Sequence, residues 1–269
     1  MTIEAKIIAD SISEERIRLT TLQLVYPRFI HAEFMTHRMF SRNASSSRAI
    51  PVKKMIEAVR TNPAVPIHWG ENQPGMQARA ELSEEGQVDS ERLWCDAAAW
   101  AAHIAVRMDE LGLHKQVVNR ILEPFQHIHV VVTATEWQNF FDLRCHPDAQ
   151  PEMQRLAHAV LLAMQKSYPT LAPVGDWHLP YVLEAERLNY TTATCIKMSA
   201  ARCARVSYLT HEGKTPNVDE DITLYNRLVN ANPPHMSPVE HQAVSLPSNK
   251  FFANFRGWKQ HRWDLERRQ

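Results

Sequence analysis

Glycine is scarce in this 269-residue chain: there are seven, none of them spaced G-x-G. That removes the glycine-rich turns by which Rossmann and P-loop folds bring backbone amides to phosphates, so any nucleotide must be held by other means. Cysteine is scarce as well. Cys95, Cys145, Cys195 and Cys203 form no C-x-x-C pair, which argues against a disulfide framework, a zinc ribbon and a thioredoxin-like centre and leaves reduced, packed thiols as the expectation. Neither sign of charge is in excess, with 30 Lys and Arg against 30 Asp and Glu. No global field therefore recruits nucleic acid or a membrane, and an anion site has to be local. No uncharged run reaches the ~20 residues of a membrane span, and the start MTIEAKIIADSI carries early acids and no long apolar stretch. A cytoplasmic, globular protein is expected, with 44% hydrophobic residues for its core.

What is present is concentrated first in one basic run. From Thr36 to Arg48 the chain places Arg38, Arg42 and Arg48 among five hydroxyl side chains, with no acid. Arginine forks and serine hydroxyls together suit phosphate oxygens; a solvated basic loop has the same composition. Around it, alternation predicts strands over 5–12 and 19–26, the second with Leu22, Leu24 and Tyr26 on one face. A helix is expected over 29–38, an irregular exit over 41–48, a short helix over 51–60 and a long binding loop over 61–90. Helical spacing of Leu93, Trp94, Ala97, Ala101, Ile104, Ala105 and Met108 predicts a helix over 91–111 that buries this stripe. A helix over 114–122, a buried strand over 128–132 and helices over 136–144 and 152–167 follow. The stretch 170–189 reads as an irregular, proline-rich linker, and 198–206 and 219–230 as helices.

Two further clusters carry chemistry. The segment from His235 to His241 has the pattern of a helix start, with Ser237 as N-cap, Pro238 in the first helical position and Glu240 closing a capping box. His235 then stands just outside an N-terminus that favours an anion such as a pyrophosphate. His235, Glu240 and His241 are also metal-ligand types, but their spacing is not that of H-E-x-x-H, and no metal is expected. The segment 137–144 sets Asn139 and Leu143 on one helical face and ends on Arg144, a position where many arginines only complement the helix dipole.

Together the clusters resemble the flavin-dependent thymidylate synthases, whose Arg-His-Arg hallmark and following Ser and Arg appear here as Thr36-His37-Arg38, Asn43, Ser46 and Arg48. Asn139, Leu143 and Arg144 match the family's Leu-Arg helix, with Ala149, Gln150 and Glu152 following, and Arg120 and Pro124 match residues upstream of it. The family's N-terminal Ala-Arg-Val-Ser helix and His-x-Ser-Pro-x-Glu-His element resemble residues 199–208 and 235–241, so the chain looks circularly permuted. Gln260-His261-Arg262 is a faint second copy of the hallmark. The resemblance implies one α/β domain over 1–269, a mixed sheet flanked by helices: a hallmark portion over 1–169, a linker over 170–197 and a permuted segment over 198–269.

It also implies FAD bound by His37, Arg38, Asn43, Asn139, Ser207, His235, Ser237 and Glu240. Ser46, Ser47 and Arg48, helped by Arg120 and Glu33, would hold a deoxyuridylate, the first three from a neighbouring subunit of a homotetramer. Arg144 would stabilise negative charge developing on the pyrimidine. NADPH and methylenetetrahydrofolate would be co-substrates, with no enzymic nucleophile. Four positions depart from the family pattern: Glu33, Thr36, Ala44 and Asp148. Deoxycytidylate or another pyrimidine nucleotide, a hydroxymethyl product, and a nucleotide-binding protein without turnover remain alternatives.

Overall fold

The computed structural model describes residues 2–206 and 217–267. Strands β1 (Glu4–Ser13) and β2 (Arg18–Pro27) form where alternation predicts them and pair antiparallel. Leu22, Leu24 and Tyr26 are fully buried, as expected, and Thr21 on the opposite face is fully buried too. Both faces of the sheet are therefore covered.

β3 (Ser41–Ala44), β4 (His127–Ala134) and β5 (Thr170–Ala172) complete a five-stranded sheet of order β3-β4-β2-β1-β5. Every pairing is antiparallel except the parallel one between β1 and β5. This mixed sheet flanked by helices is the architecture the resemblance implies. β3 corrects the irregular exit expected over 41–48. Its four residues have little strand preference, but the Val130–Thr133 backbone of β4 offers an open edge and they pair with it in register.

The helix expected over 29–38 shrinks to a 3₁₀ turn at Arg28–Ile30 and α1 (His31–Phe34). The Thr36 hydroxyl takes the Glu33 carbonyl, and the Arg42 guanidinium takes those of Met35 and His37. Side chains thus occupy carbonyls that a further helical turn would use.

α2 (Val52–Thr61) and α3 (Glu84–Glu110) pack on α4 (Lys115–Val118) and a 3₁₀ segment, Asn119–Phe125, around a separate small core. α3 starts seven residues earlier than expected because Ser83 caps it, accepting from the Gly86 amide. Its inward face is Ala98, Ala102 and Ala105, while Leu93, Trp100 and Ile104 lie outside at 62%, 67% and 45% exposure. The expected stripe is met in part: Ala105 is buried, Ala101 and Met108 pack on the core and Trp94 is half-buried against Phe125, whereas Leu93 and Ile104 face solvent.

α5 (Gln138–Arg144) and α6 (Pro151–Lys166) cover the leucine face of the sheet through Phe140, Met153, Leu156 and Val160. The threonine face is covered by later chain. The stretch over 170–189 is not an irregular linker: besides β5 it forms β6 (Trp177–His178) and α7 (Glu184–Asn189). Then come α8 (Thr192–Arg205), α9 (Val218–Val229), β7 (Ala243–Ser245), the ribbon of β8 (Phe251–Phe252) and β9 (Phe255–Arg256), β10 (Trp258–Gln260) and α10 (His261–Glu266). β6, β7 and β10 form a second sheet of order β10-β7-β6.

A buried polar chain joins this layer to the first sheet. Ser11 Oγ meets His178 Nδ1 at 2.8 Å, His178 Nε2 meets Thr21 Oγ1 at 2.8 Å, Thr21 meets Thr133 at 2.7 Å, and Thr133 meets His241 Nδ1 at 2.8 Å. Burial pushes both rings down to about 3, so they are neutral at ordinary pH.

Arg202 on α8 fixes α7 and α9. It donates to both oxygens of Glu186 at 2.6 Å and to Asp221 at 2.8 Å, with only 4% of its side chain exposed. Arg202→Met leaves Glu186 without a cation, with only the Leu183 amide as partner, and Asp221 with Arg205 as its one arginine. It is expected to cost ~3–5 kcal/mol of unfolding free energy, measured by urea titration; a loss below ~1 kcal/mol would contradict this role for the network.

Candidate functional site

The basic run is shaped by Arg42, which stands on β3 and spends its Nη1 on the chain's own carbonyls. Its Nη1 donates to the carbonyls of Met35 and His37, both at 3.0 Å, and this folds the 35–40 turn back onto the sheet. Burial lowers the Arg42 pKa, against the opposing pull of Tyr26 and Glu240. In that turn His37 is buried, with its ring stacked on Phe40 at 5.7 Å and edge-on to Phe140 at 4.9 Å.

α5 delivers Arg144 to the same place. Its Nε donates to His37 Nε2 at 3.0 Å, while Nη2 reaches Thr36 Oγ1 at 3.3 Å and Nη1 reaches Glu33 at 3.5 Å. Desolvation first, then the Arg144 and Arg42 charges, lowers the His37 pKa to about 4. A neutral ring protonated on Nδ1 satisfies the Arg144 contact. One nitrogen of the guanidinium is thus held firmly, and the other two make only long contacts. Arg144 is thus brought to Glu33 and His37 from more than a hundred residues further along the chain.

The second half of the run leaves β3 still partly paired. Ser45 N donates to the His129 carbonyl at 2.7 Å and Ser45 Oγ accepts from His129 N at 3.1 Å. Asn119 then ties the next turn, donating to the carbonyls of Ser47 at 2.6 Å and Ile50 at 2.9 Å. Ser47 is buried and its hydroxyl donates to Glu123 Oε1 at 2.6 Å. Arg120 and Arg28 reach the same oxygen at 2.9 and 3.1 Å. Arg48 is exposed and Ser46 half-buried. Ser47 and Arg120, expected to serve one phosphate, therefore do converge, on a carboxylate. Sequence reasoning missed Arg28 and Glu123; the i,i+3 spacing of Glu123 from Arg120 was the available signal.

The C-terminal segment approaches β3 from the other side. Ser237–Glu240 is a four-residue 3₁₀ turn without a side-chain cap, so the expected capping box is not formed and the anion-binding helix N-terminus is absent. The competing partners explain this. Ser237 Oγ donates to Asn43 Oδ1 at 3.2 Å, Asn43 donates to the Cys203 carbonyl at 2.8 Å, and Glu240 pairs with Arg262. Burial raises the Glu240 carboxyl above its ordinary range, against the opposing pull of Arg262. Gln260 donates to Ser41 Oγ at 2.8 Å. His235 is exposed while His241 is fully buried on Thr133, so these two and Glu240 do not face one centre. Ser207 lies outside the described residues. Arg38 and Asn139 are exposed, with no side-chain partner among the described residues.

All four thiols have raised pKa values, through desolvation first in each case. None is primed as a thiolate nucleophile. The site's clearest chemical feature is a guanidinium held by a neutral imidazole, with two of its nitrogens only loosely engaged.

A profile of the thymidylate synthase complementing protein family, Thy1, matches residues 18–170. Among solved structures, the UMP/dUMP methylase PolB from Streptomyces cacaoi bound with 5-Br UMP is similar, with a TM-score of 0.52 at 17% identity over 61% of this chain and 89% of that one. The same protein bound with 5-Br dUMP gives a TM-score of 0.51 at 16% identity over 61% and 90%. At such identities the likeness is one of fold. Comparison with curated proteins found no match.

Proposed function

The chain belongs to the thymidylate synthase complementing protein family, and from that premise we propose that it methylates C5 of a uridine-type nucleotide, converting deoxyuridylate to thymidylate. Methylenetetrahydrofolate is the carbon donor and NADPH the reductant in this reading. The observation that carries it is Arg144 held by a neutral His37. A guanidinium fixed at Nε with two loosely held nitrogens can present a planar pair of donors to a pyrimidine carbonyl and stabilise charge developing there. Because His37 accepts the Nε proton without carrying charge, it orients Arg144 without repelling it.

FAD is assigned to exposed donors of suitable chemistry. Arg38, Asn139 and His235 offer a cation, an amide and an imidazole, all exposed, and would hold the cofactor. Asn43, Ser237 and Glu240, tied into the protein by Cys203 and Arg262, would back that contact, and Ser207 would join it. When bound and reduced, the flavin supplies the hydride. Ser46, Ser47, Arg48 and Arg120 would take the nucleotide phosphate, and Glu33 would steady Arg144 beside the base.

Residues 198–269 are read as the permuted counterpart of the family's N-terminal segment, a reading supported by the bonds from Ser237 to Asn43 and from Gln260 to Ser41. Assembly as a homotetramer completes the proposal. The outward Leu93, Trp100 and Ile104 support it, as large exposed apolar side chains on one element mark a surface that a partner covers.

Purified protein is expected to bind FAD, and to oxidise NADPH faster when deoxyuridylate and methylenetetrahydrofolate are present, yielding a product heavier by one CH₂. Since PolB is named for both UMP and dUMP, both nucleotides belong in the assay. A protein that takes up no FAD and shows no nucleotide-dependent turnover refutes the reading, and nucleotide binding without turnover would identify a lapsed homologue.

A further inference from the structure

Glu123 Oε1 accepts from Ser47 Oγ at 2.6 Å and from Arg120 Nη1 at 2.9 Å, and forms an ion pair with Arg28 Nη2 at 3.1 Å. Three charged or hydroxyl donors converging on one anionic oxygen is the coordination a phosphoryl oxygen receives. Two of these donors are the ones assigned to the nucleotide phosphate. We infer that Glu123 is a specificity-determining residue, a resident carboxylate that fills the phosphate position of the cradle and must be displaced by the incoming nucleotide. This rests on the reading of residues 46–48 and Arg120 as the phosphate site.

The physical reason is like-charge exclusion. A carboxylate and a phosphate within hydrogen-bond reach of the same guanidinium repel, so they do not share Ser47 and Arg120. Glu123 sits on a 3₁₀ segment with its side chain about a quarter exposed. It can turn outward, which releases Ser47, Arg120 and also Arg28, a third arginine, to the phosphate. The resident anion sets a threshold: an ion held by the cradle alone does not displace it, whereas a nucleotide anchored through its base as well does.

Titration calorimetry on the full chain tests this with deoxyuridylate and with inorganic phosphate. Glu123→Gln keeps the acceptor and removes the charge. It is expected to tighten deoxyuridylate binding about tenfold and to make inorganic phosphate, a poor competitor against the wild type, an effective one. Glu123→Leu, which removes the acceptor too, is expected to move affinity in the same direction. Ser46→Ala and Arg48→Ala serve as reference variants. If they weaken deoxyuridylate while both Glu123 variants leave its affinity unchanged or lower it, the cradle stands and the role given to Glu123 is overturned. If Ser46→Ala and Arg48→Ala leave nucleotide affinity untouched, the cradle itself is misplaced and the inference falls with it.

Discussion

Arg144→Ala is expected to lower kcat for nucleotide-dependent NADPH oxidation by ~10²–10³-fold, the scale of losing one preorganised donor at a centre of developing charge. The nucleotide KM should change far less, because the phosphate contacts are assigned to Ser46–Arg48 and Arg120. Flavin content should be preserved, since none of the groups assigned to FAD depends on Arg144 except His37. Arg144→Lys is expected to recover little activity: a lysine brings charge but not the fork, and its single nitrogen cannot hold His37 and a carbonyl together. The measurement is a steady-state separation of kcat from KM with product mass as control. A kcat within tenfold of wild type would remove Arg144 from the chemistry.

The second large effect concerns pH. His178 and His241 are fully buried, and burial holds both near 3, against an ordinary value of 6.5. The unfolded chain therefore binds protons between pH 6.5 and 3 that the folded chain refuses, so stability is complete above 6.5 and falls as pH drops through that window. Each ring contributes a slope of ~1.4 kcal/mol per pH unit, and the pair together ~3 kcal/mol per unit. His31, His37 and His127, each lowered to about 4, add in the same direction more weakly, being less deeply placed. Urea unfolding at pH 7 and pH 5 is expected to differ by ~4 kcal/mol. His241→Gln, which does not titrate, should lower the pH 7 plateau but flatten the dependence. Equal stability at the two pH values would show that the rings are not held neutral by the fold.

How much of this could be read from the sequence differs from element to element. β1, β2 and α6 were legible because the apolar period of each matches its geometry, and the leucine face of β2 packs on the α6 stripe as that period demands. β3 was illegible because nothing local makes Ser41–Ala44 a strand; the β4 edge does, and that contact spans ~90 residues. The buried face of α3 was legible only in part, because Ala98 and Ala102 carry little weight in a hydrophobic pattern while the more conspicuous Leu93 and Ile104 are left outside. At the site, Arg144 and His37 could be paired only through the family resemblance, since no spacing rule links residues 37 and 144. Ser237 was read as a helix cap on sound local grounds and lost that role to Asn43, a tertiary partner 194 positions away. Local chemistry names the candidate residues in this chain, and distant contacts decide what each one touches.

The polar chain through the threonine face also bears on the order of events at the ribosome. Ser11 waits for His178, separated by 167 residues, and Ser41 waits for Gln260, separated by 219. β1, β2 and β4 can pair as soon as Ala134 has emerged, but Thr133 finds His241 only after more than a hundred further residues. At ~5–20 residues per second that is a delay of ~5–20 s. Throughout it the nascent sheet presents Thr21, Val131 and Thr133 uncovered, the kind of surface that chaperones hold and that associates with other nascent chains. Dependence on such distant partners predicts slow folding, with the docking of the last segment as its closing step.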